Sequence, residues 1–287
     1  MKNNYLLSHR TQEPESSTLY IVGTPIGNLN DISSRAINIL KNVSSIACED
    51  TRQTKKIMNK FAISNKLISF NKHNSLNKIP NIIEEMKKGK SIALVSDAGM
   101  PGICDPGEDI VRVAKSEGLN VICIPGACAA IAALVSSGIS SSSFIFEGFL
   151  PKKKIDREKI LYEISRNEKT TIVFESPHRL MRLLKELSKF CGANREIVVA
   201  RELTKKYEQH IGNNIEEVIT FLSDKEIIGE ITIVIKGINK RTDLEFDESQ
   251  LKKELIDLVK AGLSLSAASK YLAKKHCVKK NIIYNLY

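Results

Sequence analysis

The chain has 287 residues, 42 % of them hydrophobic and 26 % charged, which excludes a disordered, collagen-like or coiled-coil protein and leaves room for two domains with cores of their own. Its formal net charge of +10, from 43 Lys and Arg against 33 Asp and Glu, favours a polyanionic partner, although a lysine-rich compositional drift produces the same sum.

Residues 1–18 are polar apart from Tyr5, Leu6 and Leu7, and read as a flexible tail without the apolar core of a signal peptide. The longest apolar stretch, residues 127–135, is well short of the roughly 20 needed to cross a bilayer, so the expected location is the cytoplasm. From residue 19 the pattern alternates. A first strand ends at Gly23, and Asn30-Asp31 offers a cap for a helix carrying Ile32, Ala36, Ile37 and Leu40. Further strands are expected at 45–48, 67–70, 91–96 and 120–124, with helices at 51–60, 77–88 and 108–117 between them. Such alternation implies a largely parallel α/β sheet, whose ligands sit in the loops that follow its strands. The pattern shifts at 144–151, so the first α/β domain is taken as 19–146 and a second as 147–237. The second contains strands at 170–174, 196–200 and 230–236 and helices at 155–166, 180–190 and 215–222. Residues 238–287 read as a small basic helical extension with a glycine turn at Gly262. It has six lysines and no acid from Lys260 onward, so it is either a helix-turn-helix-like nucleic-acid contact presenting Lys279 and Lys280 or a solvated tail.

Six cysteines (48, 104, 123, 128, 191 and 277) form no C-x-x-C pair, so neither a zinc site nor a disulfide framework is expected, and no metal. Residues 24–29 (TPIGNL) follow the first strand, but they match neither a dinucleotide fingerprint nor a phosphate-binding loop and also suit a tight turn. Residues 96–107 (SDAGMPGICDPG) pack three glycines, two prolines and two aspartates into twelve positions. That exceeds what a turn requires, and it suits a neutral or cationic ligand held near Asp97 and Asp105. The small residues of 124–130 (IPGACAA) either leave room for a ligand or allow close helix-on-sheet packing. In the second half, Glu175 and Glu202 follow strand ends beside Arg179 and Arg201, so each is either a proton acceptor or half of an ion pair. His178 reads as a base or a helix-start donor.

Taken in order, TPIGNL, CEDTR (48–52), SDAGMPGICDPG, IPGACAAIAAL, FEGFLP (146–151), ESPHRL (175–180) and RELTK (201–205) resemble the ribosomal-RNA 2′-O-ribose methyltransferase branch of the tetrapyrrole-methylase superfamily, over residues 19–237. The resemblance implies two α/β domains enclosing S-adenosyl-L-methionine in a cleft. It also implies 2′-O-methylation of a cytidine in the decoding region of 16S rRNA within the small ribosomal subunit, and a homodimer. The cofactor residues it implies are Pro25, Ile26, Gly27, Asp97, Ala98, Gly99, Met100, Cys128 and Ala129, with Ser176 and Pro177 on the opposite wall. Glu175 and Glu202 are the candidate bases, His178 the runner-up, and Lys152, Lys153, Lys154, Lys279 and Lys280 the candidate RNA contacts. Three departures from the family pattern stand out: Met100 replaces Thr, Cys104 replaces Ser, and Ala127-Cys128 replaces Pro-Ser. Two other functions share features with this one: a tetrapyrrole C-methyltransferase of the same fold, and a non-catalytic RNA-binding protein.

Overall fold

A computed structural model describes residues 13–238, 248–275 and 280–287. β1 (Thr18–Val22) leads through a 3₁₀ turn at Leu29–Asp31 to α1 (Ser34–Asn42), β2 (Ser45–Cys48), α2 (Thr51–Lys60), β3 (Leu67–Ser69), α3 (Ser75–Lys87), β4 (Ile92–Val95), α4 (Glu108–Ser116), β5 (Asn120–Ile124) and α5 (Ala129–Ser136). These strands make one all-parallel sheet in the order β3-β2-β4-β1-β5. Such a sheet must be covered on both faces, and its central strands are accordingly buried throughout and mostly apolar. Tyr20, Val22, Ile46 and Val95 point to one core with α1 and α2, while Leu19, Ile21, Ile92 and Leu94 point to another with α3 and α4. The cap of α1 is Ser33, whose hydroxyl accepts from the Ala36 N–H, rather than Asn30-Asp31. The latter pair is absorbed in the 3₁₀ turn, which Asn28 caps.

The second sheet runs β6-β7-β10-β8-β9, from β6 (Phe144–Phe149), β7 (Thr170–Glu175), β8 (Glu196–Arg201), β9 (Gln209–Asn214) and β10 (Ile231–Ile235). Here β10 lies antiparallel between β7 and β8, so its first residue, Ile231, sits opposite both Glu175 and Arg201. The ends of β7 and β8 and the start of β10 therefore share one edge. Helices α6 (Lys154–Arg166), α7 (Pro177–Cys191) and α8 (Ile215–Leu222) cover one face through Val173, Val199 and Ile233. The alternate positions Ile172, Val198 and Val234 face the other way, against Ala130, Ala133 and Leu134 of α5. A helix of the first unit thus supplies the second face of the second sheet.

The division expected between residues 146 and 147 falls inside β6, which pairs in parallel with β7 and belongs wholly to the second sheet. Two strands were not expected as such. β6 is interrupted by a bulge between Phe146 and Gly148, and β9 is a polar edge strand (QHIGNN) held to β8 by backbone pairing and by the Arg201 guanidinium donating to Gln209 Oε1. After residue 247, α9 (Glu248–Lys260), α10 (Leu265–Lys275) and α11 (Lys280–Tyr284) enclose their own small core of Leu255, Ala268, Leu272 and Ile283. Among the described residues no helix is long and apolar enough to cross a membrane.

Two glycines let the turns after β1 and β5 touch. A Cβ on Gly126 would stand 2.7 Å from the Gly23 backbone, and one on Gly23 would stand 2.6 Å from the Gly126 Cα and from Met100 Sδ. Backbone on both sides leaves no flexible atom to yield. Gly126→Ala is therefore expected to lower unfolding stability by about 1–3 kcal/mol, as overpacking does. Urea denaturation checks this, and an unchanged midpoint would contradict it.

Candidate functional site

A cavity of about 460 Å³ opens where the strand ends of the two sheets meet. It is of the size that small-molecule cofactors occupy. From the first sheet it is lined by Ile26, Glu49, the loop residues 97–100 and 103–105, Cys128 and Ala129. From the second it is lined by Phe149, Phe174, Glu175, Ser176, Pro177, Ala200, Leu203 and residues 229–232.

Its first wall is stitched by backbone bonds. Thr24 and Gly99 form an antiparallel bridge, with Thr24 N–H donating to Gly99 O at 2.9 Å and Gly99 N–H to Thr24 O at 3.1 Å. Gly99 has a φ of +82°, which glycine adopts freely, and a Cβ there would sit 3.3 Å from Ala127 O and Ile26 Cγ2. Such a side chain would intrude between the two loops. The dense punctuation of residues 96–107 thus shapes a wall that brings backbone and carboxylates to the cavity together.

Three carboxylates line that wall. Asp97 accepts from the Asp50 N–H at 2.9 Å. Burial pushes Asp97 above the ordinary carboxylate value, aided by the charge of Asp50 and opposed by that hydrogen bond and Arg52. Burial likewise raises Asp105, against the pull of Lys72 and of the Ser96 hydroxyl. Glu49 is raised by burial first and then by the charges of Asp105 and Asp97, more than Lys72 and the Asp97 N–H lower it. Lys72 stays close because its ammonium donates to Cys104 O at 2.7 Å. Desolvated carboxylates facing an apolar cavity favour a cationic occupant. Among the described residues no group of three or more His, Cys, Asp or Glu is arranged to hold a metal ion.

The second wall is held by a buried ion network. Glu175 has a fully buried side chain, with Oε1 taking the Ser176 N–H at 2.8 Å and Arg179 Nη2 at 2.6 Å and Oε2 lying 3.5 Å from Arg157 Nη1. Arg157, itself 3 % exposed, also pairs with Glu186. Ser176 and Pro177 open α7, proline taking the first helical position where its missing N–H costs nothing. The two walls are joined by Gly27, which lines neither of them. A Cβ on Gly27 would stand 2.5 Å from Lys205 Cγ and 2.7 Å from Thr204 Oγ1, and the Asn28 N–H donates to that same hydroxyl at 3.0 Å.

Of the expected cofactor residues, Ile26, Asp97, Ala98, Gly99, Met100, Cys128, Ala129, Ser176 and Pro177 line the cavity, while Pro25 and Gly27 do not. The expected bases fare differently. Glu175 is in the wall, but both of its oxygens face arginines. Glu202 has a φ of +54° and turns back to Lys205 Nζ at 2.8 Å and the Glu230 N–H at 2.9 Å. Burial raises its pKa, but those bonds and the nearby cations outweigh it and hold Glu202 below the ordinary carboxylate value. His178 is exposed on α7 and does not line the cavity. Lys152, Lys153 and Lys154 are exposed just beyond Phe149, and Lys280 is exposed with its ammonium 2.8 Å from Ser266 Oγ. Lys279 lies outside the described residues. Sequence reasoning passed over Glu49, Phe149, Phe174, Leu203 and residues 229–232 as site residues. The signal for Glu49 was its place directly after a short buried strand ending in Ile46, Ala47 and Cys48.

Residues 18–219 match the family model described as Tetrapyrrole (Corrin/Porphyrin) Methylases. The chain is 43 % identical over 276 residues to a Bacillus subtilis protein named ribosomal RNA small subunit methyltransferase I, covering 94 % of this chain and 93 % of that one. It is 41 % identical over 268 residues to a Synechocystis protein of the same name, covering 93 % and 96 %. Among solved structures it resembles a cobalt precorrin-4 methyltransferase, with a TM-score of 0.58, 14 % identity, and coverage of 77 % of this chain and 95 % of that one. A Thermus thermophilus uroporphyrin-III C-methyltransferase complexed with S-adenosyl homocysteine gives a TM-score of 0.55 at 16 % identity, covering 76 % and 97 %.

Removing Glu175 leaves buried arginine charge without its counter-ion, so Glu175→Ala is expected to destabilise the fold by about 3–5 kcal/mol. Glu202→Ala, with solvent near its partners, should cost less than about 1 kcal/mol. Denaturant unfolding of both variants distinguishes the two cases, and equal effects would contradict the assignment.

Proposed function

The chain belongs to the tetrapyrrole methylase family and is an S-adenosylmethionine-dependent methyltransferase; from that premise we propose that it methylates the 2′-oxygen of a cytidine ribose in the decoding region of 16S rRNA. The observation that carries this reading is the pairing of near-full-length relatives named for small-subunit ribosomal RNA with a cavity whose first wall suits a cation. The porphyrin-modifying enzymes share the fold at only 14–16 % identity. A homodimer acting in the cytoplasm on the small subunit belongs to the same proposal.

The cavity fits the donor chemically. Small side chains at Ala98, Gly99 and Ala129 leave room, backbone groups of residues 97–100 and 229–232 are at hand, and Asp97 offers its carboxylate to positive charge. When bound, S-adenosylmethionine supplies a methyl group activated on a sulfonium, whose leaving group is neutral. The protein's task is then chiefly to hold a ribose oxygen in line with that methyl, which is worth roughly 7–11 kcal/mol where two reactants are brought to one geometry. A protonated hydroxyl is a weak nucleophile, so a proton acceptor helps by about 100-fold to 10,000-fold. Glu49 and Asp105 suit that role better than Glu175 or Glu202. Each faces the cavity, and burial makes each more basic than an exposed carboxylate. Lys152, Lys153 and Lys154, exposed beside the cavity, and Lys280 on the C-terminal unit would hold phosphates, with the salt dependence such contacts bring.

Incubating hypomethylated small subunits with labelled S-adenosylmethionine and mapping the product tests the proposal. A single 2′-O-methylcytidine in the decoding region is expected; methyl transfer to a porphyrin with none to the subunit would overturn it. Asp97→Asn should weaken S-adenosylmethionine binding by at least tenfold in calorimetry, while Tm changes little. Binding of the cation needs ionised carboxylates, and those of the first wall take up protons at higher pH than exposed ones. Wild-type affinity should accordingly begin to fall on acidification before the ordinary carboxylate range is reached. A flat profile down to that range would contradict the assignment.

A further inference from the structure

We propose that Phe149 is the surface on which the base of the target nucleotide stacks, and hence a substrate-positioning residue; this rests on the RNA-methylation reading above. A phenylalanine 53 % exposed at the lip of a cavity is a large apolar face left to water, and single-stranded RNA recognition uses such faces. Enzymes that modify one nucleotide within folded RNA hold it away from its neighbours, and an aromatic ring replaces the stacking it has lost.

The position of Phe149 is fixed from several sides. The bulge between Phe146 and Gly148, with Gly148 at a φ of +62°, redirects the end of β6 toward the glycine-rich loop. There a Cβ on Gly148 would come 2.9 Å from Cys104 Sγ, so the end of the strand lies directly against that loop. The ring packs edge-to-face on Phe174, with centroids 5.6 Å apart at 60°, and Phe174 packs likewise on Phe146 at 5.0 Å and 70°. Such contacts set the ring's orientation and still leave part of it open. Ile103, 40 % exposed and next to Cys104, adds apolar surface to the same lip.

Charge sits in the right place beside it. Lys152 follows Phe149 by three residues, so its Cα lies within about 11 Å of that of Phe149 even if the chain is fully extended. Lys152, Lys153 and Lys154 are all exposed. A base on the ring and its phosphates on the lysines are thus compatible with one nucleotide whose ribose hangs over the cavity, where Glu49 and Asp105 await the 2′-hydroxyl.

Steady-state methylation of hypomethylated small subunits, with calorimetry of S-adenosylmethionine, tests the role. Phe149→Ala and Phe149→Leu should each lower kcat/KM for the subunit by about 5-fold to 150-fold, the loss expected for one stacked base, with cofactor affinity kept within threefold. Phe149→Trp should stay within threefold of wild type on both measures, because it restores a π-face. Leucine as active as wild type would mean that only apolar bulk matters, and a matching loss of cofactor affinity would make Phe149 part of the cofactor wall; either result overturns the proposal. Wild-type protein that binds S-adenosylmethionine but leaves no methyl on the subunit would instead overturn the RNA reading, and this proposal with it.

Discussion

Where the turn after β1 meets the turn after β5, nothing larger than hydrogen fits on either chain, and a few residues on, Gly27 has the turn after β8 in the same intimate contact. This run of backbone contact holds the site together. It lets Thr24 bridge Gly99 and so fixes the glycine-rich loop, and it lets Asn28 bond Thr204 and so ties the first sheet to the second. α5 completes the arrangement by leaving the first sheet and covering the second. The cavity is therefore bounded by two walls whose separation is set by the close packing of these turns and of α5.

The two walls differ electrically. On the first, Glu49, Asp97 and Asp105 are partly desolvated without matching cations in direct contact, so they bear a cost that a positively charged ligand would offset. On the second, Glu175 is enclosed by Arg157 and Arg179, and its charge is already answered. One set of carboxylates is poised for chemistry and the other holds structure. Glu49 and Glu175 stand alike at a strand end with an arginine three or four residues on, Arg52 and Arg179, so local sequence does not separate the two kinds.

The parallel sheet was legible because a strand buried on both faces reads as a near-continuous apolar run, as in residues 92–95 and 46–48. The second sheet was legible only where burial demanded it. β9 escaped because an edge strand needs backbone partners and little else, and β6 because its bulge breaks the alternation at the place that looked like a domain boundary. The loops that build the first wall were visible through their glycines, prolines and aspartates. Side-chain direction was not: the left-handed backbone of Glu202 turns it from the cavity, and the three-dimensional closeness of Glu49 to Asp105, 56 positions apart by number, has no local trace. Pro25 and Gly27 stand in the expected loop but outside the cavity lining, and Gly27 serves the seam instead.

The central claim is that strand ends of both sheets close on one small cationic ligand. Backbone hydrogen exchange of the full chain with and without S-adenosylmethionine tests it most directly, since exchange reports local opening segment by segment. Slower exchange is predicted in residues 97–105 and in residues 229–232 together, these being the loops that line the cavity from its two sides. Protection confined to one of them, at saturating ligand, would contradict the account.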